Sequence, residues 1–74
     1  MKKAIYSKEQ KILVEKLRKA REDAGLDQSQ AAQLLGTTQS HISKLESGQR
    51  RIDVIQLKEI ARVYKKEITD LIPY

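Results

Sequence analysis

Gly25, Gly36 and Gly48 recur at intervals of 11 and 12 residues, and each closes a stretch whose apolar residues are spaced as on one face of a helix. A glycine just past a helix end takes the left-handed conformation that lets the last turn unwind. Soon after each glycine comes a side-chain oxygen able to accept from the free N–H groups of a new helix: Asp27, Thr38 and Asp53. Asp27 with Gln30 and Asp53 with Gln56 have the spacing of a capping box, and Ser7 with Gln10 matches the box itself. This alternation of stops and starts permits only short helices joined by tight turns. The spacing predicts helices over 8–24, 28–35, 39–47 and 54–64, with a last turn over 67–72. In the first, Leu13, Leu17, Ala20 and Ala24 form one stripe; in the fourth, Leu57, Ile60, Ala61 and Tyr64 align. Alternating strand patterns, repeats and low-complexity segments are missing from the sequence. The expected fold is all-α, a compact bundle of about five short helices.

With 74 residues, the chain is expected to form a single domain, 1–74, with one small core. It has no cysteine and a single histidine, His41, so neither a disulfide framework nor a metal-ligand cluster is expected. The start, MKKAIYSKEQ, lacks the apolar centre of a signal peptide, and no apolar run approaches the roughly 20 residues of a membrane span. A cytoplasmic protein with no membrane partner is the expectation. The net charge is +5, and its excess lies in the N-terminal half: residues 1–26 carry eight basic and four acidic side chains, whereas 52–74 carry four of each. Such a bias favours a polyanionic partner.

Residues 28–47 combine steric demands that belong together. Ala32 is small where two helices must cross closely, Gly36 turns the chain, and Ile42 and Leu45 fill the angle between the helices, with Ala31 and Leu35 behind them. This is the pattern of a helix-turn-helix. On the second of its helices, at about 100° per residue, Gln39, Ser40, Ser43, Lys44 and Ser47 share a sector of about 140°, with Ile42 and Leu45 opposite. An ordinary solvated helix would carry Glu and Lys in i,i+4 pairs on such a face. Gln pairs with adenine through two hydrogen bonds, Lys donates to guanine, and Ser bonds several bases, so Gln39, Ser40, Ser43 and Lys44 are the candidate base contacts. Gln49, Arg50 and Arg51 follow at once, where the chain leaves that helix, and are candidate phosphate contacts; His41, at the edge of the sector, is another. An enzyme is not expected. Ser40 and His41 are adjacent on a helix and point about 100° apart, which leaves no nucleophile and base pair, and no phosphate-cradling loop or cofactor site is present.

The segments LDQSQAAQLLGTTQSHISKLESGQRR and LKEIARVYKKEITDLI resemble the lambda-repressor-like (Cro and XRE type) DNA-binding domains, from about Leu17 to Ile72. The resemblance implies that the third helix lies in the major groove. It implies a phosphate held at the start of the second helix by Gln28. Thr38, just before the third helix, is a further candidate phosphate contact. The resemblance also implies a buried ion pair between Arg21 and Glu46. Lys65 and Lys66 stand where the family usually has a glycine and an apolar residue, and Glu67 replaces its usual capping serine. The expected function is sequence-specific binding of double-stranded DNA by a transcriptional repressor. The alternative is an antitoxin-like module that binds a partner toxin protein and autoregulates its operon. One module covers only about 600 to 1,000 Å² on DNA, so a homodimer is expected. Ile68, Leu71, Ile72 and Tyr74 are the first candidate for its surface, and Ile5, Tyr6 and Ile12 the second.

Overall fold

The computed structural model describes residues 8–72. Its elements are α1 (Lys8–Asp23), α2 (Gln28–Leu35), α3 (Gln39–Glu46), α4 (Val54–Val63) and a short 3-10 helix (Ile68–Asp70), with no strand among the described residues. The fold is an all-helical bundle of four helices and a closing 3-10 turn, in agreement with the expected all-α bundle of about five short helices.

The starts of α2, α3 and α4 are each capped by the expected residue. Asp27 accepts from the Gln30 amide at 2.7 Å while Gln30 Oε1 accepts from the Asp27 amide at 2.9 Å, and Asp53 with Gln56 repeats the exchange at 2.8 and 3.2 Å. Thr38 Oγ1 accepts from the His41 amide at 3.1 Å. Ser7 lies outside the described residues, so the box with Gln10 does too.

The helix ends share one device, in which two hydrogen bonds cross over the final turn. In α2 the Gly36 amide donates to Gln33 and the Thr37 amide to Ala32; in α3 the Gly48 amide donates to Leu45 and the Gln49 amide to Lys44. This closure needs a positive φ at its pivot. At the end of α4 the pivot is Lys65, with φ 59°, while its amide donates to Arg62 and that of Lys66 to Ala61. The glycine of the resembled family is thus replaced without loss of the turn, at a steric cost of roughly 1 to 2 kcal/mol. Lys66 Nζ lies 3.4 Å from Asp23 Oδ2, joining this turn to the end of α1. The amide of Glu67, where the serine cap was missing, donates instead to Asp70 Oδ2 at 3.0 Å.

The core is formed by Leu17 and Ala20 of α1, Ala31 and Ala32 of α2, Ile42 and Leu45 of α3, Leu57, Ile60 and Ala61 of α4, and Tyr64 and Leu71 beyond it. α2 makes its most extensive packing with α3. Ala31 is fully buried and Ala32 is 3% exposed, so any larger side chain at either position would separate the two helices.

Two expectations need correction. The buried face of α1 runs through Val14, Leu17, Ala20 and Arg21, while Leu13 and Ala24 are only half-buried. Arg21, seven residues after Val14 and so on the same side of the helix, faces inward to Glu46. Leu71, taken from sequence as part of a dimer surface, is 1% exposed and belongs to the core. Ile68 packs half-buried against that core and Ile12 is half-buried, whereas Ile72 is 39% exposed. Tyr74, Ile5 and Tyr6 lie outside the described residues. The large apolar side chains most exposed among those described are Leu34, Val54 and Ile55.

Tyr64, 3% exposed, carries a measurable signature of this packing. Burial pushes its phenol up to about 12, and the Glu46 carboxylate adds to the rise, opposed by Arg21. A phenol that ionises later in the folded chain than in the unfolded one stabilises the fold fully below pH 10. That stabilisation is lost as pH climbs through the folded value. Urea titrations between pH 9 and pH 12 are therefore expected to show the wild-type chain losing about 2 to 3 kcal/mol more stability than Tyr64→Phe. Parallel curves for the two proteins would mean that the phenol is not held in this environment.

Candidate nucleic-acid interface

The geometry of the polar face follows from what lies beneath it. Ile42 and Leu45, 2% and 4% exposed, fix one side of α3 in the core. Helical periodicity then leaves Gln39, Ser40, Ser43 and Lys44 exposed together on the other. Thr38 Oγ1 is engaged in capping α3, and Ser47 Oγ donates to the Lys44 carbonyl at 3.1 Å, which closes the helix at its far end.

Behind this face runs a chain of polar contacts through three helices. Arg21 on α1 grips Glu46 on α3 with two prongs: Nε donates to Oε2 at 2.7 Å and Nη2 to Oε1 at 3.0 Å. Its remaining nitrogen, Nη1, donates to the Leu26 carbonyl at 2.8 Å. The two side chains are 10% and 7% exposed, and the hydrogen bond to Glu46 is the chief reason that the Arg21 guanidinium is held above its ordinary pKa, against the opposing effect of burial. Gln28, first residue of α2, donates from Nε2 to Glu46 Oε1 at 3.1 Å, and Gln39, first residue of α3, donates from Nε2 to Gln28 Oε1 at 3.2 Å.

A side-chain amide carries two N–H donors and an acceptor oxygen. Gln28 has committed its oxygen and one donor, which leaves one N–H at the start of α2. Gln39 has committed one donor and keeps an N–H and its oxygen, the pair required to meet an adenine edge in bidentate fashion. The network therefore fixes both glutamines in orientation and leaves to each the groups that its sequence-predicted role requires.

Among the remaining candidates, Gln49, Arg50 and Arg51 are exposed in the segment between α3 and α4. Gln10 Nε2 on α1 donates to the Arg50 carbonyl at 3.3 Å. His41 is half-buried and lines a groove of about 240 Å³ with Thr37 and the α4 residues Ile55 and Glu59. It is thus grouped with these residues and apart from Gln39 and Lys44. Sequence reasoning missed the Gln28–Gln39 link, although two glutamines at the first positions of two packed helices were visible. It also missed Gln10 as a partner of Arg50, a contact across 40 residues for which no local signal exists.

No group of three or more His, Cys, Asp or Glu side chains among the described residues could hold a metal ion. No helix among them is long and apolar enough to cross a membrane.

Comparison with known proteins agrees with this geometry. The family model described as helix-turn-helix matches residues 17–71. Among solved structures, the crystal structure of FeII HppE superposes with a TM-score of 0.82 at 30% identity, over 88% of this chain and 35% of that one. The chain therefore spans about a third of that protein's length. No curated protein matches the chain.

Proposed function

The chain belongs to the lambda-repressor-like helix-turn-helix family, and from that premise we propose that it binds double-stranded DNA sequence-specifically and acts as a transcriptional repressor. The observation that carries this reading is the exposed face of Gln39, Ser40, Ser43 and Lys44, with its leading glutamine held by Gln28. In this reading α3 enters the major groove and those four side chains meet base edges. Phosphates are met by Gln28, Thr38, His41, Gln49, Arg50 and Arg51, which set the register of the helix in the groove without carrying sequence information. The Thr38 hydroxyl caps α3, so its part is to accept from the His41 amide and offer its own proton outward. The chain performs no chemical step on DNA in this proposal; it competes for a site.

A module this small covers too little DNA for tight specific binding alone, so the proposal includes a homodimer on a two-fold site. Because Leu71 is in the core, Leu71→Glu would test folding and not that dimer. The toxin-binding alternative has no observation of its own in its favour.

Titration of a labelled duplex across a salt series tests the reading. With Arg50 and Arg51 on each of two copies releasing counterions, log K is expected to fall against log salt with a slope of roughly −3.5 or steeper. Arg50→Ala should flatten it by about one unit per bound copy and weaken binding to all duplexes alike. No binding at low salt would remove DNA as the partner, and salt-independent binding would remove Arg50 and Arg51 as phosphate contacts.

A further inference from the structure

The stretch that joins α3 to α4 carries both arginines assigned to phosphates, and its position is set at three points. The crossing hydrogen bonds of Gly48 and Gln49 hold its start, and the Asp53–Gln56 exchange holds its end. Midway, Gln10 reaches from the first turns of α1 to the Arg50 carbonyl at 3.3 Å. Ile52, half-buried against the core, follows directly.

We propose that Gln10 is a positioning residue for DNA binding, one that holds the Arg50–Arg51 peptide so that both guanidinium groups and the Arg51 amide face a phosphate. A trans peptide is planar, with its carbonyl and its N–H pointing in opposite directions. Drawing the Arg50 oxygen toward α1 therefore turns the Arg51 N–H away from α1. The same plane separates the two α-carbons and so sets the directions in which both arginine side chains depart. Backbone amides are themselves phosphate donors in protein–DNA contacts, and an amide beside two guanidinium groups forms a phosphate-binding set. Without the tether, the exposed segment samples other peptide orientations, and binding must restrict them. The inference rests on the DNA-binding reading above and adds to it a residue on a helix that is not part of the helix-turn-helix.

Gln10→Met keeps the length and helix preference of the side chain and removes its amide. The expected result is about a 2- to 10-fold loss of affinity, equal for a selected and a random duplex. Because Gln10 acts largely through the arginines, the same substitution in an Arg50→Ala, Arg51→Ala background is expected to cost less, only the share carried by the backbone amide at position 51. Backbone ¹⁵N relaxation of the free protein should show lower order at Arg50 and Arg51 in Gln10→Met than in the wild type. Unchanged affinity, or an equal loss in the background lacking both arginines, overturns the positioning role, the latter in favour of a direct contact by Gln10. Unchanged amide order overturns the tether whether or not DNA binds. Failure of the wild-type chain to bind any duplex instead overturns the DNA reading, and the phosphate-positioning role with it.

Discussion

Arg21→Ala is expected to lower the unfolding free energy by about 3 to 5 kcal/mol, the range found when one partner of a buried ion pair is removed. The guanidinium satisfies both Glu46 oxygens and the Leu26 carbonyl. Its loss leaves a carboxylate whose side chain is 7% exposed with only the Gln28 amide for compensation. In a chain of 74 residues that is a large share of a total of roughly 4 to 11 kcal/mol. The midpoint of thermal unfolding should fall by well over 10 °C. The double variant Arg21→Met, Glu46→Met should recover much of the loss, because a buried pair replaced by apolar groups of similar volume costs far less than a broken one. It should not recover specific DNA binding, since Gln28 then has no carboxylate to orient it. A single variant with an unshifted midpoint would mean that the pair contributes nothing to the fold.

Gln39→Ala and Lys44→Ala are each expected to cost roughly 1 to 3 kcal/mol on the preferred site and to relax the preference at one base position only. The physical ground is the inventory of unused groups. Gln39 keeps one N–H and its oxygen after donating to Gln28, and Lys44 is exposed on the same side of α3. Neither substitution removes a core contact, so stability should change little. The pattern differs from that of Arg50→Ala, whose loss falls on every sequence. Equal losses on preferred and random duplexes for Gln39→Ala would place that residue among the phosphate contacts.

Much of this arrangement was legible because the decisive interactions are local. Caps at Asp27, Thr38 and Asp53 act within three residues of themselves, and a left-handed pivot acts on the turn before it, so both leave their mark in adjacent sequence. The polar and apolar sides of α3 follow from periodicity alone. What periodicity could not supply was the rotation of α1. An arginine is ordinarily counted as a surface residue; Arg21 is buried beside Glu46, 25 residues later, and the family resemblance, not the spacing, pointed to that pair. Leu71 was misread for a related reason. A short apolar turn near the end of the sequence looks the same whether it covers a core or waits for a partner, and the choice depends on how α4 packs on what precedes it. Lys65 shows the limit of reading residue types in turns, since a lysine occupies the left-handed pivot when the two hydrogen bonds across the helix end hold it there. The pairing of Gln28 with Gln39 and the reach of Gln10 to Arg50 are tertiary contacts between residues whose own spacing favours no particular partner.

Whether the exposed face of α3 reads DNA sequence is decided by selecting bound duplexes from a randomised pool with the wild-type chain. The expected result is enrichment of a two-fold-symmetric site whose half-sites lie about one helical turn apart. Recovery of duplexes with no shared sequence, although bound, would contradict it and reduce the face to a solvated surface beside a phosphate-binding loop.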